Sequence, residues 1–130
     1  MTAYLDPSAA AKLLVEEAES AVLAAYLDGL AAEGRALMSS LLLETALRRL
    51  AVRAELAQSS VSGLLDRIDL VEPDRSLFHE AGILPGPYLR SLDALHVATA
   101  LRIEATVLVA YDVRQRDAAT SLALRVIAPE

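Results

Sequence analysis

The chain has 130 residues, 55% of them apolar, which is enough for the core of a single domain over residues 1–130. It has no cysteine, which excludes disulfides and thiolate metal sites, and its formal charge of -6 argues against a protein that holds nucleic acid by an overall positive potential. Because no secretory leader opens it and no apolar run reaches the roughly 20 residues that cross a bilayer, we expect a cytoplasmic protein with no membrane partner.

Short apolar runs alternate with helical patterns along the whole chain. Residues 3–5 predict a strand that ends at Asp6, because Pro7 disfavours helix at the residue before it. The elements predicted after it are helices to about Val15 and over 18–33, a strand at 36–39, helices from there to about Leu56 and over 58–67, a strand at 68–71, helices from Asp74 to Gly82 and around Asp93, a strand at 106–111, a helix to about Leu122 and a strand at 124–127. This alternation predicts an α/β fold with a mainly parallel sheet and right-handed crossovers.

Four acidic residues lie where this topology makes side chains meet. Asp6 and Asp112 directly follow predicted strands, Glu44 comes a turn after another, and Asp93 lies in an apolar helix, where an unpaired carboxylate is costly. Because sites in such sheets lie outside the carboxyl ends of the strands, we expect all four to share one cleft. Each has a plainer explanation as well, for example a helix cap for Asp6 or a pair with Arg48 for Glu44.

The chemistry of such a cluster favours a metal. Carboxylates that crowd together repel one another unless a cation neutralises them. Oxygen ligands without cysteine indicate Mg²⁺ or Mn²⁺ rather than zinc, and a water on that ion can attack a phosphodiester. We therefore expect Asp6, Asp93 and Asp112 to be metal ligands, with Glu44 as a further ligand or as the group that orients the attacking water.

The basic residues supply candidate phosphate contacts. Eleven of the twelve basic side chains are arginines, which suit bidentate contact with phosphate. Arg48 and Arg49 follow Glu44, and Arg114 follows Asp112, so we expect these three arginines to contact phosphate. Their alternative role is to pair with neighbouring acids on solvated faces.

Four segments of the chain, residues 4–14, 39–48, 92–101 and 111–114, carry a family resemblance. Their succession resembles the motifs of PIN-domain ribonucleases, above all the VapC toxins of bacterial toxin–antitoxin pairs. The resemblance covers essentially the whole chain, and the segment that contains Asp93 is its most specific part. It implies a PIN-like three-layer fold, in which a short, mainly parallel central sheet is flanked by helices.

The resemblance also implies the function and the partners. Asp6, Glu44, Asp93 and Asp112 match the family's acidic metal positions, and Ser8 matches a hydroxyl that supports the first acid. The expected activity is Mg²⁺-dependent endoribonuclease cleavage of an RNA substrate by a homodimer, which a VapB-like antitoxin holds inactive. The alternatives are a PIN nuclease of RNA maturation that has no antitoxin and a catalytically silent PIN-fold interaction module.

Four positions need separate interpretation. Ala110 stands where the family often has a threonine hydroxyl, and Ala123 stands where a glycine is common before the last strand. His96 matches a frequent histidine of the motif, for which we expect a packed, hydrogen-bonded structural role. Asp117 is a loose match to a further acid, and we expect it on the helix surface.

Two other classes gather acids at strand ends but fit less well. A response-regulator-like phosphoacceptor needs a lysine late in the chain, whereas Lys12 is the only lysine. A phosphatase with an Asp-x-Asp nucleophile loop needs an acid where Ser8 stands.

Overall fold

The computed structural model describes residues 1–130, which form five strands and seven α-helices. The strands are β1 (Thr2–Leu5), β2 (Ala36–Ser40), β3 (Asp69–Val71), β4 (Val107–Val109) and β5 (Val126–Ile127). The helices are α1 (Pro7–Ala10), α2 (Ser20–Ala32), α3 (Leu42–Arg53), α4 (Gln58–Leu65), α5 (Arg75–Gly82), α6 (Ser91–Arg102) and α7 (Val113–Ser121), with a 3-10 turn (Ala11–Leu13) after α1. None of these helices combines the length and the apolar character that a membrane span requires.

The five strands form one sheet in the order β3-β2-β1-β4-β5, and every pairing in it is parallel. The central strand is β1, in which Tyr4 pairs with Met38 of β2 on one side and with Leu108 of β4 on the other. The chain therefore leaves β1 toward one edge of the sheet and later returns to the other, which makes the carboxyl end of β1 a topological switch point. The predicted α/β fold with a parallel sheet is confirmed.

Helices cover both faces of the sheet because successive strand side chains point to opposite sides. Leu5 and Val109 pack with buried residues of α2, α3 and α4. Tyr4 and Leu108 point the other way and pack with residues that include Ala100 of α6 and Ala119 of α7. The result is the expected three-layer arrangement.

Two details of the predicted helices differ from the structure. Helix α3 ends at Arg53 rather than near Leu56, and its buried stripe consists of Leu43, Leu47 and Ala51, at a spacing of four residues. Leu92, an apolar residue of the helix that the sequence predicts around Asp93, is 63% exposed because it lies in the first turn of α6, before the helix enters the core.

The start of α3 is set by two serines at the end of β2. Ser40 Oγ accepts a hydrogen bond from the backbone N–H of Leu42, the first residue of α3, at 3.1 Å, while the N-cap position itself is Leu41. Ser39 Oγ instead donates to the carbonyl oxygen of Leu5 at 2.7 Å, which ties β2 to β1.

Candidate active site

Two of the predicted acids lie at the carboxyl ends of neighbouring strands, and therefore at the same edge of the sheet. Asp6 follows β1 and Asp112 comes shortly after β4, and these strands are direct neighbours, with Leu5 paired to Val109. The backbone N–H of Asp6 donates to the carbonyl oxygen of Val109 at 3.0 Å, which extends this pairing by one residue. Asp93 comes from a separate element, the first turn of α6.

The Asp6 carboxylate is buried with only one of its oxygens hydrogen-bonded. It is 2% exposed, and its Oδ2 accepts hydrogen bonds from the backbone N–H and the hydroxyl of Ser8, at 2.9 and 2.5 Å. Its Oδ1 is buried without a hydrogen-bond partner. Burial, with a smaller contribution from the charge of Asp93, raises the pKa of Asp6 to about 6, although the contacts with Ser8 lower it. A buried carboxylate oxygen with no donor is suited to accept a cation.

Ser8 connects the ends of the two central strands. Its hydroxyl donates to Asp6 and accepts hydrogen bonds from the backbone N–H groups of Tyr111 at 2.9 Å and Asp112 at 3.4 Å. The same oxygen therefore orients the Asp6 carboxylate and fixes the backbone that carries Asp112. This contact is compatible with the predicted supporting role of Ser8.

The three aspartates influence one another electrostatically. Burial and then the charge of Asp112 raise the pKa of Asp93, while the charges of Arg90 and Arg114 lower it. Asp93 in turn contributes to the raised pKa of Asp6. Asp112 also keeps its plainer role, because its Oδ1 accepts the backbone N–H of Gln115 at 3.1 Å and caps α7.

Asp6, Asp93 and Asp112 do not form a complete metal-coordination shell. No three acidic or histidine side chains stand close enough together to hold an ion by themselves. Mg²⁺ tolerates such openness, because it usually keeps several of its waters and takes only one or two carboxylates from the protein.

Glu44 and Arg48 pair with each other, whereas the sequence suggested a metal ligand and a phosphate contact. In the first turn of α3, Glu44 accepts a hydrogen bond from Arg48 Nε at 2.9 Å, the helix pair that was its plainer explanation. Arg48 also donates to Gln58 Oε1 at 3.1 Å and to Ser62 Oγ at 3.2 Å, which ties α3 to α4. The structure shows no contact between Glu44 and the three aspartates, so the roles of Glu44 in metal binding and of Arg48 in phosphate binding stay predictions.

The other arginines differ in their relation to the cleft. Arg49 is exposed on α3, whereas Arg114 is exposed on α7 and its charge acts on Asp93. Arg90, the residue before α6, acts on the same carboxylate and was missed. A lone arginine after a Pro-Gly-Pro turn has no periodic pattern by which the sequence could have singled it out.

Gln115 is the second residue that sequence reasoning missed. Its side chain is fully buried on α7 and lowers the pKa of Asp6, which places the amide beside that carboxylate. Its Nε2 nevertheless completes no hydrogen bond. A glutamine in a short polar helix carries no sequence signal for such a position.

His96 has the packed role that was predicted. Its Nδ1 shares a hydrogen bond of 2.7 Å with the hydroxyl of Tyr4, which also accepts the backbone N–H of Ser40 at 3.1 Å. Burial lowers the pKa of His96 to about 4. Asp117 is exposed on α7, in agreement with its predicted surface position.

Comparison with known proteins assigns the family. The model of the PIN domain matches residues 3–120 of this chain. The chain belongs to the PIN-domain family. Ribonuclease VapC35 of Mycobacterium tuberculosis is 42% identical over 97% of this chain and 96% of its own length. Ribonuclease VapC46 of the same species is 39% identical over the same shares. The resemblance drawn from the sequence is thereby confirmed.

Solved structures share the fold of this PIN-domain chain. VapBC2 from Rickettsia felis, crystallised with a DNA fragment from its promoter, contains a chain that superposes with a TM-score of 0.81 at 16% identity over the full length of both chains. Mycobacterium tuberculosis VapC20, described as a toxin that cleaves the sarcin-ricin loop, gives a TM-score of 0.72 at 16% identity, over 98% of this chain and 99% of its own.

Proposed function

We propose that this PIN-domain protein is a metal-dependent endoribonuclease of the VapC type, the toxin of a toxin–antitoxin pair. Its relatives at 42% and 39% identity are named ribonucleases and align over nearly its whole length. The observation that supports the proposal most directly is that Asp6 and Asp112 follow neighbouring strands at the switch point of the sheet, with Asp6 Oδ1 buried and unpaired and with the charge of Asp93 acting on Asp6.

The donor set of this cleft fits Mg²⁺ or Mn²⁺. Asp6, Asp93 and Asp112 are the residues that would hold the ion, and for Asp6 the free oxygen is Oδ1, because Ser8 occupies Oδ2. Hard oxygen ligands without cysteine are those that these ions prefer. When bound, such an ion lowers the pKa of a water that can attack phosphorus and neutralises charge on the phosphate.

The protein's own residues orient the site and attract the substrate. Ser8 fixes the Asp6 carboxylate, and Arg90 and Arg114 place positive charge beside Asp93, where an RNA phosphate needs it. Arg49 is a third exposed candidate on α3. Because the net charge is -6, we expect RNA binding to be weak and sensitive to salt.

The proposed protein partner is a VapB-like antitoxin. The solved VapBC2 structure and a toxin–antitoxin complex from Klebsiella pneumoniae, with a TM-score of 0.68, have this fold. A cleft of aspartates with an unpaired oxygen is a receptor for a basic side chain, so an antitoxin arginine placed there would block the metal site. A neighbouring reading frame for a small protein would support this partner over a PIN nuclease of RNA maturation.

We also propose a homodimer. Helices α2 and α3 expose apolar side chains, among them Val22 and Val52, which is surface that an interface would cover. Sedimentation at micromolar concentration tests this state, and a monomer under those conditions contradicts it.

Cleavage of RNA by the purified protein tests the proposed activity. Total RNA is incubated with Mg²⁺, with Mn²⁺ or with EDTA, and the cut ends are mapped. We expect discrete internal cuts with either metal and none with EDTA. Cleavage that survives EDTA contradicts the metal dependence, and metal binding in calorimetry without any cleavage favours a catalytically silent interaction module.

A further inference from the structure

A pocket of about 290 Å³ lies between the loop 86–89 and helix α7. Tyr88 on the loop and Arg114, Asp117 and Ser121 on the helix contribute to its lining. We propose that this pocket binds one unstacked base of the RNA strand whose phosphodiester lies in the aspartate cleft. The inference rests on the proposed ribonuclease function and adds to it a binding site for a base.

Arg114 joins the pocket to the cleft. It lines the pocket, and its charge also acts on Asp93, whose carboxylate belongs to the cleft. It lies two residues after Asp112 on the same helix, so pocket and cleft share one structural element. A guanidinium between the two suits a phosphate that connects the captured base to the site of cleavage.

Tyr88 lines the pocket and is largely exposed to solvent. It is 80% exposed, the most exposed large apolar side chain of the chain. Single-stranded RNA is commonly recognised by stacking its splayed bases on such side chains. At about 290 Å³, the pocket is at the lower end of the roughly 300–1,000 Å³ of small-molecule sites, a size that suits one base.

The loop that carries Tyr88 is held against α7 by a tight turn. Gly86 has a φ of 120°, which a glycine adopts without strain, and Leu89 N donates to its carbonyl oxygen at 3.1 Å. A Cβ at Gly86 would lie 3.7 Å from the Cβ of Ala118, so the loop approaches α7 closely at this residue. With prolines at 85 and 87, the turn positions the tyrosine before RNA arrives.

Asp117 gives the pocket a preference among bases. Its carboxylate repels phosphate, so the pocket suits a base rather than the backbone, and it accepts hydrogen bonds from the amino group of guanine, adenine or cytosine. Uracil offers only a ring N–H between two carbonyl oxygens. We therefore expect the pocket to favour an amino-bearing base over uracil.

Binding of short RNA tests the site separately from cleavage. The probes are fluorescein-labelled single-stranded octamers of A, C or U, titrated into the protein with Ca²⁺ in place of Mg²⁺ and followed by fluorescence anisotropy. We expect Tyr88→Ala to weaken binding of the A octamer about 10-fold and Tyr88→Phe to stay within about 2-fold of the wild type, because stacking needs the ring and not the hydroxyl. Asp117→Asn should reduce the preference for the A and C octamers over the U octamer.

The matched control is Phe78→Ala on α5, which also removes a solvent-exposed aromatic ring but lies outside this pocket. It should leave RNA affinity unchanged. If Tyr88→Ala binds all octamers like the wild type while the wild type cleaves RNA, the base site is refuted and the ribonuclease function stands. If Tyr88→Ala instead alters sedimentation with RNA affinity unchanged, the surface contacts protein and the inference is wrong. A wild type that neither binds nor cleaves RNA contradicts the proposed function itself.

Discussion

Helix α6 has an acid cluster at each end, and the two clusters are built in opposite ways. At its carboxyl end, Arg102 forms ion pairs with Asp74 at 2.8 Å and Glu80 at 2.9 Å. Asp74 also accepts hydrogen bonds from Ser76 Oγ at 2.8 Å and from the backbone N–H of Leu77 at 2.9 Å. The Arg102 contact, helped by the others, holds the pKa of Asp74 well below its usual range.

At the amino end of α6 the acids form no ion pair, although the charges of Arg90 and Arg114 act on Asp93. Burial and the charge of Asp112 raise the pKa of Asp93, and burial is the main cause of the raised pKa of Asp6. An environment that lowers the pKa of an acid stabilises the folded protein at neutral pH. An environment that raises the pKa of an acid destabilises the folded protein at neutral pH, and such environments are common at functional sites. The sign of the pKa shift therefore separates Asp74, a structural acid, from the candidate metal ligands Asp6 and Asp93.

Exchange of Asp6 for asparagine should give the largest effect. Asp6→Asn removes the charge that would hold the metal and keeps the size of the side chain. We expect the RNA cleavage rate to fall about 100-fold or more, since a catalytic metal supplies several kcal/mol of transition-state stabilisation. In EDTA at pH 7 the melting temperature should rise, because a buried, unpaired charge is gone. Initial rates and thermal melts measure the two effects.

Asp74→Asn is the matched control from the paired cluster. The variant makes the same exchange in an acid that forms an ion pair with Arg102. The RNA cleavage rate should therefore stay at the wild-type value, while the melting temperature should fall slightly because the ion pair is lost. An equal loss of activity in both variants would mean that the comparison between the two clusters is wrong.

The pH dependence of stability should show the same contrast. The folded-state pKa of Asp6 is raised from 3.8 to about 6, so the folded protein binds more protons than the unfolded chain between these values. The contribution of Asp6 to the free energy of unfolding therefore falls as pH rises through this window, by about 3 kcal/mol at roughly 1.4 kcal/mol per pKa unit. His96 has the opposite sign, because its pKa is lowered from 6.5 to about 4 and its contribution rises with pH.

Denaturant unfolding in EDTA separates these two groups. Because their contributions oppose each other, the wild type should change little between pH 4 and 6. Of these two contributions Asp6→Asn keeps only that of His96, so its stability should increase with pH over this range relative to the wild type. The difference between the two proteins should grow up to about pH 6 and then stay constant. A constant difference across the whole range would show that Asp6 does not titrate as described.

The parallel sheet and the place of Asp6 and Asp112 at its edge followed from simple sequence signals. A strand that stops at Asp6 before a proline, and another that stops near Asp112, place both acids at one edge once the strands are parallel. Asp93 was identified because burying an unpaired carboxylate in an apolar helix is energetically costly.

The remaining features of the site depend on tertiary packing that sequence spacing does not encode. The spacing of four residues predicted the pair of Glu44 with Arg48, but only the position of α4 shows that Arg48 is also held by Gln58 and Ser62. Gln115 has no sequence signal, because only the approach of α7 to β1 brings it beside Asp6. Ala123, predicted to affect the turn, has a φ of 63°, the left-handed conformation that glycine adopts more easily.

Loss of the Ser8 hydroxyl should have an intermediate effect. Ser8→Ala removes the hydroxyl donor to Asp6 Oδ2, which keeps the backbone N–H of residue 8, and removes the acceptor of the Tyr111 N–H, so the side-chain link between the two strand ends is lost. We expect cleavage and metal affinity to fall about 10-fold, the lower end of the range for residues that orient metal ligands. Ser8→Thr keeps the hydroxyl and should retain most of the cleavage activity and of the metal affinity. Cleavage assays and Mn²⁺ calorimetry measure these two quantities. If the threonine variant is as defective as alanine, packing at this position is responsible and not the hydrogen bonds.

The smallest effect should come from the paired cluster itself. Arg102→Gln removes the cation shared by Asp74 and Glu80, but these acids are well exposed, so water and salt replace much of what is lost. We expect a slightly lower melting temperature at low ionic strength, a difference that shrinks in 1 M salt, and an unchanged cleavage rate. The insensitivity of this cluster is informative because α6 connects it to Asp93. A large loss of activity in Arg102→Gln would show that the position of Asp93 depends on how the far end of its helix is anchored, and the two clusters would then have to be treated as one.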